Sequence, residues 1–259
     1  FGAWATTRSP GRPVVVGRDS RVSGPLFHRI VLSALESVGC EVIDLGVVPT
    51  PTVQLAVEHH HAAGGLAITA SHNPIEWNAL KFIGASGLFL DGDDAAAMRA
   101  FTDAGFPRAT WDRLGRTIAD PDAVRRHVDA ILALPYVKAD ALRARRFTVA
   151  LDCVRGAGAA IMLDLLERLG CEVTAIHVEP DGRFPREPEP VAENLGELGA
   201  LVRSTGADIG LAVDPDVDRL ALVDETGTPI GEDYTLAFAA RLVLAHTPGP
   251  LVTNLSTSR

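Results

Sequence analysis

Two short segments, far apart in the chain, carry residue types that could do chemistry together. The first is Thr69-Ala70-Ser71-His72-Asn73-Pro74, where an Asn-Pro pair biases the backbone to turn and leaves the Ser71 hydroxyl exposed. The second is Asp214-Pro215-Asp216-Val217-Asp218-Arg219, with carboxylates at i, i+2 and i+4. In an extended segment these carboxylates share one side, and in a tight loop they converge. Three so close repel one another and favour a divalent cation, and oxygen-only ligation suits Mg²⁺ better than zinc. A hydroxyl and such a cation are the two halves of metal-assisted phosphoryl transfer, and neither half suffices alone.

A serine in a turn is ordinary by itself; His72 and Asn73 beside it, and Lys81 on the next apolar run, raise it above that. The D-x-D-x-D spacing also opens an EF-hand loop. The glycine and distal glutamate that a calcium loop needs are missing, however, and Leu220–Val223 reads as a strand instead. Arg219 adds a phosphate-compatible fork that an acidic surface turn would not need.

The elements that must position these residues repeat along the chain. Val-rich Pro13–Asp19 is followed by a helix from Leu26, then by Gly39-Cys40-Glu41-Val42 leading into a second apolar run. The same grammar returns at Phe147–Asp152, with Gly156, Gly158 and a helix through Leu166, then Gly170-Cys171-Glu172-Val173. Glycine after each helix supplies a left-handed stop, and the short apolar runs read as buried parallel strands. The pattern predicts α/β architecture: two similar three-layer α/β domains with mixed sheets, over 1–140 and 141–248, plus the first strand of a third from 249.

Within the first domain, Gly65–Thr69 and Leu80–Ile83 read as strands flanking the serine turn. Asp94–Ala104 and Pro121–Leu134 read as helices, the latter with Asp120 as N-cap. Pro135–Arg146 reads as a connector and Glu179–Pro190 as a proline-rich surface loop. Glu197–Thr205 reads as a helix closed by Gly206, and Asp208–Val213 as a strand carrying Asp214 on its end. Pro250–Leu255 resembles an opening strand that cannot cover its own faces, so the remainder of a third domain is expected beyond Arg259.

Composition narrows the class. The chain has 259 residues, 47% hydrophobic and 22% charged, which fits a globular protein with a sizeable core. The net charge of −9 and the lack of a basic stripe argue against nucleic-acid partners; Arg143, Arg145 and Arg146 read as a solvated patch. No apolar run reaches a membrane span, so no membrane partner is expected. Cys40, Cys153 and Cys171 show neither disulfide nor zinc spacing, which fits a reducing cytoplasm.

Seven ordered blocks together resemble the α-D-phosphohexomutase family of phosphoglucomutases, phosphomannomutases and phosphoglucosamine mutases. They are VVVGRDSRVSGP at 14–25, TASHNP at 69–74, WNALKF at 77–82, LDCVRGAGA at 151–159, PDGRFPREPEP at 180–190, DPDVDR at 214–219 and GEDY at 231–234. The resemblance implies that Ser71 carries the phosphoryl group as phosphoserine and that Ser71, Asp214, Asp216 and Asp218 hold Mg²⁺. It implies Lys81 as general acid/base, Arg219 as phosphate-charge stabiliser, and His72 assisting proton transfer or orienting the serine loop. It also implies a hexose phosphate substrate and a glucose 1,6-bisphosphate-type activator that primes Ser71.

Some family features are absent. Phe1-Gly2-Ala3 leads straight to Trp4 where the family opens with an FGTSGIRG-like segment whose arginine faces the site, and Ala79 stands where glycine is common. The sugar-binding loop of the family's third domain and the phosphate loop of its fourth do not occur, so this fragment is expected to hold the reaction centre, grip the sugar poorly and be inactive alone. A non-catalytic sugar-phosphate-binding protein of the same fold, and an aspartate-based phosphatase, are the competing readings.

Overall fold

The structure is a computed structural model that describes residues 1–231 and 233–253. Its first unit runs α1 (Gly2–Arg8), β1 (Val14–Arg18), α2 (Gly24–Glu36), β2 (Glu41–Val47), α3 (Thr50–His59), β3 (Gly64–Ile68), β4 (Leu80–Gly84), α4 (Gly92–Asp103), β5 (Arg116–Ala119) and α5 (Ala123–Leu132). The strands form one sheet in the order β4-β3-β1-β2-β5, in which only the β3–β4 pairing is antiparallel. Alternation along β1 explains the layering. Val14 and Val16 point to one face, against Val31 and Leu35 of α2, while Val15 points to the other, against Val53, Ala56 and Val57 of α3. A strand covered on both faces reads as a continuous apolar run, which is why Pro13–Asp19 has no polar alternation.

The second unit runs α6 (Ala139–Arg145), β6 (Thr148–Asp152), α7 (Gly158–Arg168), β7 (Glu172–Ile176), α8 (Gly196–Thr205), β8 (Ile209–Val213), β9 (Leu220–Val223) and α9 (Asp233–His246). Its sheet order is β7-β6-β8-β9, again antiparallel only at the last pair. Leu198 and Val202 of α8 cover one face, and Leu166 of α7 the other. The order β2-β1-β3-β4 in the first sheet is thus repeated as β7-β6-β8-β9. Gly39 and Gly170 hold equivalent left-handed positions (φ 83° and 72°) after α2 and α7. The serine turn lies between β3 and β4, and the acidic turn lies between β8 and β9, so the two occupy the same place in the two sheets.

Several local expectations are corrected. The helix expected from Pro121 begins at Ala123, and Asp120 does not cap it: its carboxylate accepts from the Asp122 N–H, His60 and Arg126. The expected connector 135–146 contains α6, on which Arg143 pairs with Asp140. Gly2–Arg8, with no counterpart among the elements expected, is a helix, and the Phe1 ring packs on Phe82, 5.3 Å between centroids. No strand forms at Pro250–Thr253, and the rest of that expected strand lies outside the described residues. The three cysteines are free, and no described helix is long and apolar enough to cross a membrane.

Leu151, at 0% exposure on the central strand β6, carries the packing of α7. Leu151→Ala is expected to lower unfolding free energy by about 2–5 kcal/mol, through lost burial and a cavity. Val22→Ala, at a residue 62% exposed, should change it by less than about 0.5 kcal/mol. Urea titration followed by circular dichroism measures both.

Candidate active site

The serine loop is built around Arg21, a residue with 0% exposure. A guanidinium has five N–H donors, and every one is used. Nε donates to Asp19 Oδ2 (3.1 Å), Nη1 to the carbonyls of Pro74 (2.7 Å) and Trp77 (2.9 Å), and Nη2 to those of Ser71 and Asn73 (2.7 Å each). Asp19 also accepts from the Arg21 N–H and from the Thr69 hydroxyl, and Thr69 Oγ1 in turn accepts from the Ser71 N–H at 2.9 Å. Burial pushes the Asp19 carboxyl up to about 6 against the pull of these donors. Ser71 sits at φ 51°, a left-handed conformation that a non-glycine residue holds only when its surroundings impose it. The Arg21 bonds to the loop carbonyls are that imposition.

The acidic loop follows β8. Asp214 Oδ1 accepts from the N–H groups of Asp218 (3.1 Å) and Arg219 (3.2 Å), and Val217 takes φ 60°. The tight turn, not an extended segment, therefore brings the carboxylates together: Asp214, Asp216 and Asp218 offer oxygens within 4.8 Å of one another. Asp214 and Asp216 are fully buried.

The two loops meet at the seam between the units. Ser71 Oγ donates to Asp214 Oδ2 at 3.0 Å, and Lys81 Nζ on β4 donates to Asp216 Oδ2 (2.7 Å) and Asp218 Oδ2 (3.0 Å). Thr50, at the start of α3, donates its N–H to the Asp216 carbonyl and its hydroxyl to the Asp216 carboxylate. His72 Nδ1 lies 3.4 Å from Ser71 Oγ. Arg219 Nη1 donates to Glu189 Oε1 at 2.6 Å. All seven residues expected at the site from sequence are thus gathered there.

The electrostatics fit a hard cation. Burial, with Asp216 and Asp218 nearby, pushes Asp214 well above the usual carboxylate range. Burial also pushes Asp216 up, but Lys81 and Thr50 outweigh it and hold that group below its ordinary value. Burial lowers Lys81, and the two aspartates more than offset this and raise it. Asp216 Oδ1 is buried without a hydrogen-bond partner. An orphaned carboxylate oxygen beside two other carboxylates, in an all-oxygen donor set, suits Mg²⁺.

Residues missed by motif reading are Asp19, Arg21, Thr50 and Glu189. Asp19 and Arg21 stand inside the 14–25 block and Glu189 inside the 180–190 block, but nothing local marks Arg21 as buried. Thr50 has no signal in its own neighbourhood. Gly182, at φ 69°, presses the second unit onto the first: a Cβ there would lie 2.3 Å from the Ser20 carbonyl oxygen.

Residues 1–107 match the family described as phosphoglucomutase/phosphomannomutase, alpha/beta/alpha domain I, and residues 125–227 match its domain II. The chain belongs to this family. It is 41% identical to a phosphoglucomutase/phosphomannomutase of Thermococcus kodakarensis, over 100% of this chain and 57% of that protein. It is 38% identical to the Methanopyrus kandleri protein named "Probable phosphoglucosamine mutase", over 96% of this chain and 54% of that one. The crystal structure of a Burkholderia thailandensis phosphoglucomutase/phosphomannomutase family protein superposes with a TM-score of 0.80 at 28% identity, covering 95% of this chain and 54% of that one. The chain spans about half the length of the curated relatives it matches. These relatives bear the names of phosphohexomutases, enzymes of the isomerase class in carbohydrate metabolism.

In this phosphohexomutase-family chain, Arg21→Met would leave Asp19 as an uncompensated buried carboxylate, at an expected cost of about 3–5 kcal/mol. Arg21→Lys should rescue little, since an ammonium cannot reach the same set of carbonyls. Urea unfolding of both variants checks this.

Proposed function

We propose that this chain carries the phosphoryl-transfer centre of a Mg²⁺-dependent phosphohexomutase of the cytoplasm, acting between the 1- and 6-positions of a hexose phosphate. The observation that carries the reading is the 3.0 Å contact of Ser71 Oγ with Asp214 Oδ2, between loops of the two units. Bound Mg²⁺ would be held by Asp214, Asp216 and Asp218 and by an oxygen on Ser71, and would supply charge neutralisation.

In the priming step the Ser71 Oγ–phosphorus bond forms as the bond from phosphorus to the sugar oxygen breaks, with a glucose 1,6-bisphosphate-type activator as donor. The serine proton leaves to a neighbouring base, for which His72 is in reach, and the sugar oxygen gains a proton from Lys81. In the forward reaction the transfers run in reverse and then again from the other end of the sugar, after a 1,6-bisphosphate intermediate turns over. Arg219 offers a guanidinium to the phosphoryl oxygens. Both phosphoglucomutase/phosphomannomutase and phosphoglucosamine mutase names occur among the relatives, and the first is our choice on the identity of the Thermococcus protein.

Incubation with glucose 1,6-bisphosphate and Mg²⁺ is expected to add one phosphoryl group, read by intact mass. Ser71→Ala and chelation should each abolish the addition, and Lys81→Ala should slow it about 10²–10⁴-fold. Binding of the bisphosphate without any addition would favour a non-catalytic sugar-phosphate-binding protein. Hydrolysis that survives Ser71→Ala would favour an aspartate-based phosphatase.

A further inference from the structure

The loop between β7 and the 3-10 turn Ala192–Asn194 reads in sequence as an ordinary proline-rich surface segment. One end of it is firmly built. Arg186 Nε pairs with buried Asp152 at 2.6 Å, while Nη1 donates to the carbonyls of Glu187 (3.0 Å) and Pro188 (3.2 Å). Its Nη2 donates to the carbonyl of Val213 at 3.2 Å, the residue before Asp214. Asn194 Nδ2 donates to the Glu189 carbonyl at 2.9 Å, and buried prolines stand on either side of Glu189. Fixed φ at both flanking residues and bonded carbonyls leave the Glu189 backbone little freedom.

The side chain so presented meets one residue from each unit. Glu189 Oε1 accepts from Arg219 Nη1 at 2.6 Å and lies 3.9 Å from Nε2 of His72, whose other ring nitrogen is 3.4 Å from Ser71 Oγ. The Arg219–Glu189 pair is 43% and 41% exposed, so it adds little to stability. Stability therefore does not account for the pair. Orientation is a different matter. Arg219 gives one of its N–H donors to Glu189, and among the described residues no other acceptor takes the rest. Its free edge is available for a bidentate grip on phosphate.

We propose that Glu189 is a positioning residue for phosphoryl transfer at Ser71, holding the Arg219 guanidinium toward the serine loop. The proposal rests on the phosphohexomutase reading of the same site. A free arginine must be ordered each time a phosphoryl group arrives, and a pre-ordered one escapes that entropy loss. Charge alone predicts the opposite sign, because a carboxylate beside phosphate repels it. Removing Glu189 therefore separates orientation from repulsion.

The test compares wild type, Glu189→Gln, Glu189→Asp, Arg219→Ala and the Glu189→Gln/Arg219→Ala pair in this chain. Two readouts are used: the initial rate of phosphoryl addition from saturating glucose 1,6-bisphosphate with Mg²⁺, and the order of the Arg219 Nε–H by ¹⁵N relaxation. Glu189→Gln should label at least about tenfold more slowly with an unchanged melting temperature, and Glu189→Asp should recover most of the rate. The double variant should be no slower than Arg219→Ala alone. The Arg219 order parameter should fall in Glu189→Gln, to below about 0.6. Equal or faster labelling by Glu189→Gln overturns the proposal, and so does an unchanged order parameter. A wild type that takes up no phosphoryl group, with Arg219 still losing order in Glu189→Gln, counts against priming of Ser71 in this chain and leaves the hold of Glu189 on Arg219 standing.

Discussion

Three carboxylates within 4.8 Å, two of them fully buried, are a self-repelling arrangement, and much of the surrounding structure exists to offset it. The compensation comes from both sides of the seam. The second unit provides the N–H groups of Asp218 and Arg219, bonded to Asp214. The first unit provides Lys81, Thr50 and the Ser71 hydroxyl. The cluster is therefore tolerable only while the two sheets are docked in one relative placement. That same placement brings the hydroxyl to the acidic triplet, so stability of the seam and competence for phosphoryl transfer depend on one set of contacts.

The repeated topology shows how such a seam is assembled. β1 and β6 hold equivalent positions, and each ends near an aspartate, Asp19 and Asp152, that accepts from the backbone N–H two residues on. Each aspartate pairs with an arginine. In the first unit Arg21 reaches the carbonyls of the serine loop; in the second Arg186 reaches Val213, at the root of the acidic loop. One device, an Asp-Arg pair at the end of an inner strand, thus anchors two loops of different chemistry. What differs is what each loop presents: a hydroxyl in one case, three carboxylates in the other.

Much of this was legible locally. Strands such as β1 and β9 are recognisable because an apolar run of that length between turn residues has few other uses, and Gly206 ends α8 in the left-handed conformation expected of it (φ 66°). Asp120 shows where local reading fails. Its position before a helix suits a cap, yet His60, just past the end of α3, and Arg126 claim its carboxylate, and the His60 claim is not visible in the neighbouring residues. Glu189 fails in the same way: a glutamate between prolines looks like any solvated loop residue until Arg219, 30 positions away, is folded against it.

The order of residues was enough to specify the chemical kinds present: a serine in a forced turn, carboxylates spaced to converge, a lysine on the following strand, and unbroken valine runs that demand cover on each face. These follow from short-range geometry, which a few adjacent residues set. Folding the chain selected the partners. Ser71 and Asp214 stand 143 positions apart, the burial of Arg21 needs the serine loop 50 residues on to fold over it, and the hold of Thr50 on Asp216 arises only when two independently layered sheets dock. Such contacts depend on the sum of packing across the seam, a quantity that no single stretch of residues contains.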